Sequence, residues 1–309
     1  MPDAGITVAE GFDGMRLDQY ISGGLGLLSR SQIKARKLEA LLDGRPVKLS
    51  RQVKSGDCFF LRWEEAETPF LVPEDIPLDI LYEDDELVVI NKKQGMAVHP
   101  GAGRSGGTLA NALLFRMGRE QSAALRPGIV HRLDKDTSGV IIAAYNEKAH
   151  AFLSAQFKER SAKKHYLALT QGGPPCAGGS VETYISRDSG DRKKFTVSET
   201  RGKKALTRYR VLKSWTLGGR NYSLLSLRPR TGRTHQIRVH LKYLRCPILG
   251  DPLYGGKDKN FPHASLMLHA RQLRITTPGG KLMSFKAPLP GAFLDLLQEL
   301  DEKDRSPGP

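Results

Sequence analysis

Short apolar segments of strand length recur from about residue 78 to residue 290, and hairpin-scale connections separate most of them. Helical spacing of apolar residues is confined to three stretches of this region, at 108–117, 147–159 and 234–244. A doubly wound parallel sheet needs a crossover helix between successive strands, so few helices argue against it. The pattern therefore predicts an α+β domain with a mixed sheet, whose strands are expected at residues 80–82, 87–91, 129–130, 140–145, 166–170, 207–212, 222–227, 271–275 and 282–285.

A second, smaller unit is indicated at residues 14–63. Ser29 followed by Gln32 forms a capping box, which predicts the start of a helix. Glycine-containing turns separate the segments that follow. The expected order is a helix with Leu17, Tyr20 and Ile21 on one face, the helix after Ser29, a strand around Val47 and a strand at residues 58–63.

Basic residues lie on one side of the second helix of this unit. Arg30, Lys34 and Lys37 follow the spacing i, i+4 and i+7, Arg36 lies beside them, and no acidic residue interrupts the stretch. Such a stripe suits the phosphates of structured RNA, although on an isolated helix it is more often a solvated face. The order of elements resembles the small RNA-binding domain first known from ribosomal protein S-four, and this resemblance favours RNA binding.

The segments that flank the strand-rich region have a different character. Residues 64–77 are acidic and proline-rich without periodicity, so we expect a linker there. The large domain is expected to occupy residues 78–300. The last segment, residues 301–309, is predicted to be a disordered tail.

The composition narrows the class of partner. The chain has 309 residues, 48 of them Lys or Arg against 33 Asp or Glu, and a formal charge of +15. That charge favours a nucleic acid, although a membrane surface or plain solubility would also agree with it. No apolar run is long enough to span a bilayer, and the N-terminus lacks the apolar core of a signal peptide. The three cysteines are far apart, so neither a disulfide framework nor a CxxC zinc site is expected, and we predict a cytoplasmic protein.

A dense polar turn lies between two apolar strands within residues 127–142. It reads HRLDKDTSG at residues 131–139 and contains two carboxylates, Asp134 and Asp136, with two cations, a histidine and two hydroxyls. Loops on rigid strands often carry catalytic groups. Asp, Ser and Gly are also ordinary turn residues, so composition alone makes this turn a candidate site and nothing more.

A competing motif, G-x-G-x-x-G, lies at residues 101–106, before a predicted helix and with Glu120 further along. In a dinucleotide-binding site the first glycine follows the strand directly. Here the strand ends well before the glycines, Pro100 precedes them, and Glu120 does not follow a second strand. We therefore predict a polar loop.

Three ordered segments resemble the RluA family of ribosomal large-subunit pseudouridine synthases. They are HRLDKDTSG, the strand KHYLAL at 164–169, and RTGRTHQIRVHL at 230–241 with PILGDPLYG at 247–255 after it. The resemblance spans the large domain and implies the pseudouridine synthase fold, a mainly antiparallel mixed sheet with flanking helices. It also implies isomerisation of uridine without a metal or cofactor. Together with the N-terminal unit, it indicates the subfamily that modifies a stem-loop of large-subunit ribosomal RNA.

The resemblance assigns roles to single residues. Asp134 would be the catalytic aspartate, acting as a nucleophile on the ribose or as a base. Arg238 would pair with Asp134 and keep it ionised in a desolvated pocket. Tyr166 would stack on the target base and reach C5 as a proton acceptor. Arg132 would fill the space left by a flipped-out uridine, and Asp136 would be structural. Without the motifs, Arg238 would be a surface arginine and Tyr166 a core tyrosine.

Further residues are expected to contact the RNA or the substrate. The histidines of the motifs have no zinc-site spacing, so no metal is expected. The predicted contacts are His131, Thr137, Arg233, His235 and Gln236 in the large domain and Arg30, Lys34, Arg36 and Lys37 in the small unit.

Three functions remain open at this point. The leading one is a monomeric RNA pseudouridine synthase that acts on large-subunit ribosomal RNA or a pre-ribosomal particle, with transfer RNA less favoured. The second is a non-catalytic RNA-binding ribosome-assembly factor. The third is a nucleotide-dependent oxidoreductase built on residues 101–106.

Overall fold

The computed structural model describes residues 2–64, 71–101, 106–118 and 127–305, the side chains of Ser31 and Arg305 excepted. The chain forms two compact units, and the boundary between them falls within residues 65–70. Each unit has its own apolar core. No helix in the described ranges is both long and apolar enough to cross a membrane.

The N-terminal unit is a four-stranded antiparallel sheet packed against short helical segments. The sheet order is first, fourth, second and third strand. Leu17 and Tyr20 are buried in its core, where the Tyr20 hydroxyl accepts a hydrogen bond from the Ala9 N–H at 3.0 Å. Its elements are β1 (Asp3–Thr7), α1 (Leu17–Gln19), a π-helical turn (Tyr20–Gly24), α2 (Arg30–Ala35), β2 (Glu39–Leu42), β3 (Arg45–Val47) and β4 (Cys58–Arg62).

Helix α2 begins as predicted but ends earlier. The capping box between Ser29 and Gln32 is confirmed. At the other end the Leu38 N–H donates to the Ile33 carbonyl at 3.1 Å, and Lys37 adopts a left-handed backbone with φ of 45°. These are the features of a Schellman motif, which stops the helix. Lys37 therefore lies beyond the helix, and the prediction of a helical stripe that reaches position i+7 is wrong.

The boundaries of the predicted linker and tail also differ from the structure. Leu71 is 1% exposed and belongs to the core of the larger unit, so residues 71–77 are part of that unit. The C-terminal helix continues to Arg305, because Asp301 binds the indole N–H of Trp215 and the amine of Lys213, each at 2.5 Å. Residues 65–70 of the predicted linker and 306–309 of the predicted tail lie outside the described residues.

The larger unit contains a ten-stranded sheet flanked by helices, so the predicted α+β class with a mixed sheet is confirmed. Its elements are β5 (Ile80–Glu83), β6 (Leu87–Lys92), α3 (Leu109–Arg116), β7 (Ser138–Ala144), α4 (Glu147–Glu159), β8 (Lys163–Gln171), β9 (Gly178–Arg187), β10 (Phe195–Ser198), β11 (Lys203–Leu217), β12 (Arg220–Pro229), α5 (Gln236–Tyr243), β13 (Leu268–Thr276), β14 (Leu282–Lys286) and α6 (Gly291–Arg305).

The sheet order is β10-β9-β11-β12-β8-β13-β7-β6-β5, and β14 pairs with β13. Neighbours are antiparallel except for β13 and β7, which run parallel. Strand β7 is buried along its whole length, because its alternate side chains enter two cores. Val140 and Ile142 pack in the core that contains Leu153 of α4, while Ile141 packs in the core that contains Leu113 of α3.

The parallel pair places the polar turn at residues 131–137 next to the centre of the sheet. Gly139 has φ of 108° and lies against the backbone of Ala270 in β13. A Cβ at this position would collide with the Ala270 carbonyl oxygen, so only glycine permits this approach. The polar turn therefore enters β7 in a fixed position.

Candidate active site

A cleft of about 440 Å³ opens in the larger unit where four segments meet. The segments are the turn at 131–137 before β7, the C-terminal end of α4, the start of β8, and the turn at 229–236 before α5. In the described part of the cleft, the charged lining residues are one carboxylate, Asp134, and seven cations: Arg132, Lys158, Arg160, Lys164, Arg230, Arg233 and Arg238.

The turn that carries Asp134 is held by a buried lysine and a glutamine. Lys92 is 1% exposed, and its amine donates hydrogen bonds to the Lys135 carbonyl at 2.9 Å and to two carbonyls of the turn after β6 at 2.8 and 2.9 Å. The Gln94 amide donates to the Asp136 carbonyl at 3.0 Å. Burial lowers the pKa of Lys92 to about 8. The backbone on the C-terminal side of Asp134 is therefore fixed by side chains from another segment.

Arg238 lies between two carboxylates. Its Nε and Nη2 bind the two oxygens of Asp251 at 2.8 and 2.7 Å, and its Nη1 donates to Asp134 Oδ2 at 3.3 Å. The Asp251 side chain is 0% exposed, and one of its oxygens also accepts the backbone N–H groups of Leu253 and Tyr254 at 2.9 and 3.1 Å. Asp251 thus fixes the guanidinium, which presents its Nη1 to Asp134.

His235 completes this side of the cleft in an unusual backbone conformation. Its φ is 55°, and its Nδ1 lies 2.8 Å from the Tyr254 hydroxyl while its Nε2 lies 4.0 Å from Asp134 Oδ2. Residues other than glycine seldom adopt this region, and those that do cluster at functional sites. Burial lowers the pKa of His235, although the negative charge of Asp134 acts in the opposite direction. The ring therefore faces Asp134 as a weakly basic group.

Tyr166 faces the cleft from β8 and is 9% exposed. Burial raises the pKa of its phenol well above the ordinary value, and the charge of Asp134 raises it further. The hydroxyl therefore keeps its proton over the whole physiological range. The resting side chain is therefore not a phenolate. The predicted role as a proton acceptor would have to be played by the neutral hydroxyl.

A family profile described as RNA pseudouridylate synthase matches residues 86–243. The protein of Borreliella burgdorferi that is named ribosomal large subunit pseudouridine synthase D is 42% identical, over 97% of this chain and 93% of that protein. The chain belongs to the RNA pseudouridylate synthase family. Its enzyme class is accordingly that of an RNA pseudouridine synthase, an isomerase.

Other members of the RNA pseudouridylate synthase family agree with this assignment. A protein of Zymomonas mobilis with the same name as the Borreliella relative is 39% identical, over 94% of this chain and 95% of its own length. A solved structure of human RNA pseudouridylate synthase domain containing 4 matches 72% of this chain and 93% of its own, with a TM-score of 0.57 and 31% identity. The pseudouridine synthase fold predicted for the large domain is therefore confirmed.

The three residues predicted to be catalytic in this pseudouridylate synthase, Asp134, Tyr166 and Arg238, line one cleft. The predicted pairing of Arg238 with Asp134 is present, but it is the longer of two carboxylate contacts. The catalytic roles of these residues stay predictions.

Two other predicted contact residues line the cleft but are engaged by the protein. His131 Nε2 accepts the Ile142 N–H at 3.1 Å, and its ring stacks on Phe157 with centroids 4.4 Å apart. The Gln236 carbonyl oxygen accepts two hydrogen bonds and its amide nitrogen donates two, all within the protein. Since an amide has four such positions, Gln236 has none left for RNA and instead shapes the turn at 229–236.

Of the other predicted residues of the cleft, Arg132 and Arg233 are accessible, whereas Thr137 is not. Arg132 is exposed, Arg233 is half-buried and donates from Nε to the Lys204 carbonyl at 3.1 Å, and Thr137 is buried at the end of the turn that carries Asp134. Arg132 and Arg233 therefore keep N–H groups that can reach a ligand in the cleft.

The predicted RNA contacts of the N-terminal unit fall into two pairs. Arg30 and Lys34 line a shallow cleft of that unit. Lys37 forms an ion pair with Glu64 at 2.8 Å, and the Arg36 Nε is buried without a hydrogen-bond partner among the described residues. The likeness of this unit to the domain of ribosomal protein S-four stays a prediction, and so does its binding of RNA.

Four residues of the site received no role from the sequence: Lys92, Lys164, Asp251 and Tyr254. Asp251 and Tyr254 lie in the segment PILGDPLYG. The Asp251 carboxylate accepts hydrogen bonds from the backbone N–H groups two and three residues later, and an aspartate in such a turn is a local signal that could have been noticed. The signal for Lys92 is weaker, because a lysine after an apolar strand is usually exposed.

Within the described ranges, no three His, Cys, Asp or Glu side chains converge as the ligands of a metal would. Residues 102–105 of the competing glycine motif, and Glu120, lie outside the described residues.

Proposed function

We propose that this enzyme converts uridine to pseudouridine in large-subunit ribosomal RNA, with Asp134 as the catalytic carboxylate. The observation that carries the proposal is the arrangement of Asp134, Arg238 and Tyr166 in one cleft whose other charged residues are cations. The names of the Borreliella and Zymomonas relatives support the large-subunit target.

The chemistry needs little from the protein beyond one carboxylate and a desolvated site. The bond between N1 of uracil and C1′ of ribose breaks, the base turns, and C5 bonds to C1′. The C5 proton leaves and N1 gains a proton, so the reaction consumes no water, oxidant or reductant. We infer that Asp134 either attacks C1′ or removes a ribose proton, and both routes require an ionised carboxylate.

Arg238 places a positive charge beside that carboxylate from a fixed position. Because Asp251 takes two of its N–H groups, the guanidinium cannot turn away from Asp134 when substrate enters. A preorganised cation of this kind stabilises negative charge without reorganisation during the reaction.

Tyr166 and Arg132 are proposed to hold the uridine outside its helix. The Tyr166 ring offers a flat apolar face inside the cleft, suited to stacking on uracil. Because its hydroxyl is neutral, Tyr166 would accept the C5 proton only while it gives up its hydroxyl proton. Arg132, exposed on the polar turn, would occupy the space that the flipped nucleotide leaves.

We further propose that the enzyme acts as a cytoplasmic monomer on ribosomal RNA or a pre-ribosomal particle, and that the N-terminal unit contributes to RNA binding. The net charge of +15 supports an RNA partner. The three free cysteines are in keeping with a reducing compartment. Mapping of pseudouridines in total RNA from cells without the protein would identify the target, and a loss confined to transfer RNA would contradict the ribosomal assignment.

The catalytic proposal is tested by tritium release from RNA labelled at C5 of uridine. We expect Asp134→Asn to lower the rate by about 10²–10⁴-fold while RNA binding is retained. Asp136→Asn is the matched control, since this second carboxylate of the same turn does not line the cleft. Full activity of Asp134→Asn, or an equal loss in Asp136→Asn, would show that the carboxylate has been assigned wrongly.

A further inference from the structure

Two lysines lie beside the active site of the larger unit: Lys92 is buried and Lys164 is half-buried. Their amines differ in the number of hydrogen bonds that they make within the protein. The Lys92 amine donates to three backbone carbonyls at 2.8 to 2.9 Å. The Lys164 amine makes one hydrogen bond within the described residues, to the Thr231 carbonyl, at the longer distance of 3.3 Å. Because an ammonium group has three donors, Lys164 keeps two of them for a partner outside the chain.

Lys164 remains charged in this position. Burial lowers its pKa to about 8, as it does for Lys92, so most of the amine is protonated near neutral pH. Its charge also acts on His131, whose pKa is lowered to about 3 mainly by burial and in part by Lys164. A half-buried cation with open donors is a site for an anion, because leaving it unpaired is costly.

The position of Lys164 places that anion next to the proposed chemistry. Lys164 lies in β8 two residues before Tyr166, so both side chains project from the same face of the strand, and both line the cleft. A Cβ on Gly232 would lie 3.4 Å from the amine, so the amine rests against the turn at 229–236. No carboxylate of the described chain pairs with Lys164, whereas Arg238 has two.

We propose that Lys164 binds a phosphate of the RNA backbone next to the target uridine, and that this amine and the turn at 229–236 form a phosphate subsite of the cleft. The proposal rests on the proposed function, because it requires RNA in the cleft. The phosphodiester is the anionic group of RNA, and one lies on each side of every ribose. A ribose held at Asp134 therefore brings a phosphate within one nucleotide of the same cleft.

The first test is the salt dependence of RNA binding by the full chain, with a stem-loop RNA that contains a uridine the wild-type enzyme modifies. We expect Lys164→Gln to weaken binding by about tenfold and to reduce the slope of log Kd against log salt by about 0.7–1. Lys164→Arg should keep the wild-type slope. Lys286→Gln, at an exposed lysine of β14 outside the cleft, is the matched control. An unchanged slope in Lys164→Gln would overturn the proposal.

The second test replaces, one at a time, the phosphates on the two sides of the target uridine with neutral methylphosphonates. At one of the two positions we expect the neutral linkage to weaken wild-type binding and to leave Lys164→Gln unaffected, so that the two changes are not additive. Binding of these RNAs by the wild-type protein needs no variant, so this measurement remains informative if Lys164→Gln does not fold. Additive losses at both positions, or full wild-type affinity for both neutral linkages, would overturn the phosphate subsite.

These outcomes are separate from those of the proposed function. Absence of tritium release by the wild-type enzyme on every RNA would overturn the proposed function. Normal release, together with a Lys164→Gln variant that loses only kcat and binds RNA with the wild-type slope, would overturn the phosphate subsite alone.

Discussion

Arg238 makes its two short hydrogen bonds to Asp251, at 2.7 and 2.8 Å, and only a longer one, at 3.3 Å, to Asp134. The buried partner fixes the arginine, and the arginine in turn fixes the carboxylate proposed to act on the ribose. The proposed catalytic pair is therefore linked to a third residue, Asp251, which does not line the cleft and is proposed to act only by positioning Arg238.

Asp251→Asn is expected to lower kcat by about 10–100-fold with little change in KM, because Arg238 loses one charged partner and its orientation. Removal of one partner of a buried ion pair should also lower the free energy of unfolding by about 3 kcal/mol. Asp258→Asn is the matched control. Asp258 is likewise buried, and its carboxylate accepts hydrogen bonds from the backbone N–H groups two and three residues later. Steady-state kinetics and urea unfolding would check this, and equal effects on kcat in both variants would contradict it.

Lys92→Met is expected to lower both stability and kcat. The change leaves three backbone carbonyls without their hydrogen-bond donor. One of them is the Lys135 carbonyl next to Asp134, which the Lys92 amine then no longer holds in place. The loss of unfolding free energy should be about 2 kcal/mol, since relief of a buried charge offsets part of the cost. Lys93→Met, at an exposed neighbour, should change neither quantity. Tritium release measured below the unfolding midpoint would separate the two effects, and wild-type kcat in folded Lys92→Met would contradict the anchoring role.

Tyr166→Phe keeps the ring and removes the hydroxyl. We expect RNA binding within about twofold of wild type and tritium release reduced by about 10²-fold or more, because stacking survives while proton transfer does not. Tyr166→Leu should weaken binding as well, since it removes the flat face. A binding loss in Tyr166→Phe as large as that in Tyr166→Leu would mean that the hydroxyl holds the base and moves no proton.

Stability should fall on the acid side because buried histidines are neutral in the folded chain. Burial lowers the pKa of His240 to about 4, and its two ring nitrogens contact hydroxyls of Thr183 and Thr207 at 3.1 and 2.9 Å. Between pH 6.5 and pH 4 the unfolded chain binds a proton that the folded chain excludes, so stability is lost as the pH falls. From about pH 7.5 to about pH 5 the loss from this histidine should be about 2 kcal/mol.

Urea unfolding at the two pH values would measure this loss. His240→Gln should reduce the difference between them, whereas His263→Gln, at an exposed histidine, should not. An unaltered pH dependence in His240→Gln would mean that another group carries the effect.

Elements with strong local signals could be predicted from the sequence. Helix α4 starts after Asn146, whose side chain accepts the Ala149 N–H at 2.8 Å, and its apolar spacing continues to the predicted end. Strands β9 and β10 were missed. In β9 only Val181 and Ile185 are buried, so the alternation that reveals a strand is weak in this polar, exposed part of the sheet.

The residues of the site also fall into those that the sequence could predict and those that it could not. Asp134, Tyr166 and Arg238 each lie in a continuous motif, so a linear resemblance was enough to select them. The bond from Lys92 to Lys135 spans 43 residues of sequence, and that from Arg238 to Asp251 requires a loop to fold back on a helix. Neither partnership has a periodic signature, because side-chain pairs between distant segments are determined only by the assembled fold.

Strand β13 lies between β7 and β8, although it follows both by about a hundred residues in the chain. Asp134 belongs to the half of the sheet on one side of β13, and Tyr166 to the half on the other. During synthesis the two halves cannot be joined until residues 268–276 have left the ribosome, and such distant pairings form slowly. A nascent chain that already contains Asp134, Tyr166 and Arg238 is thus expected to remain inactive until the residues of β13 have been synthesised and have paired with β7 and β8.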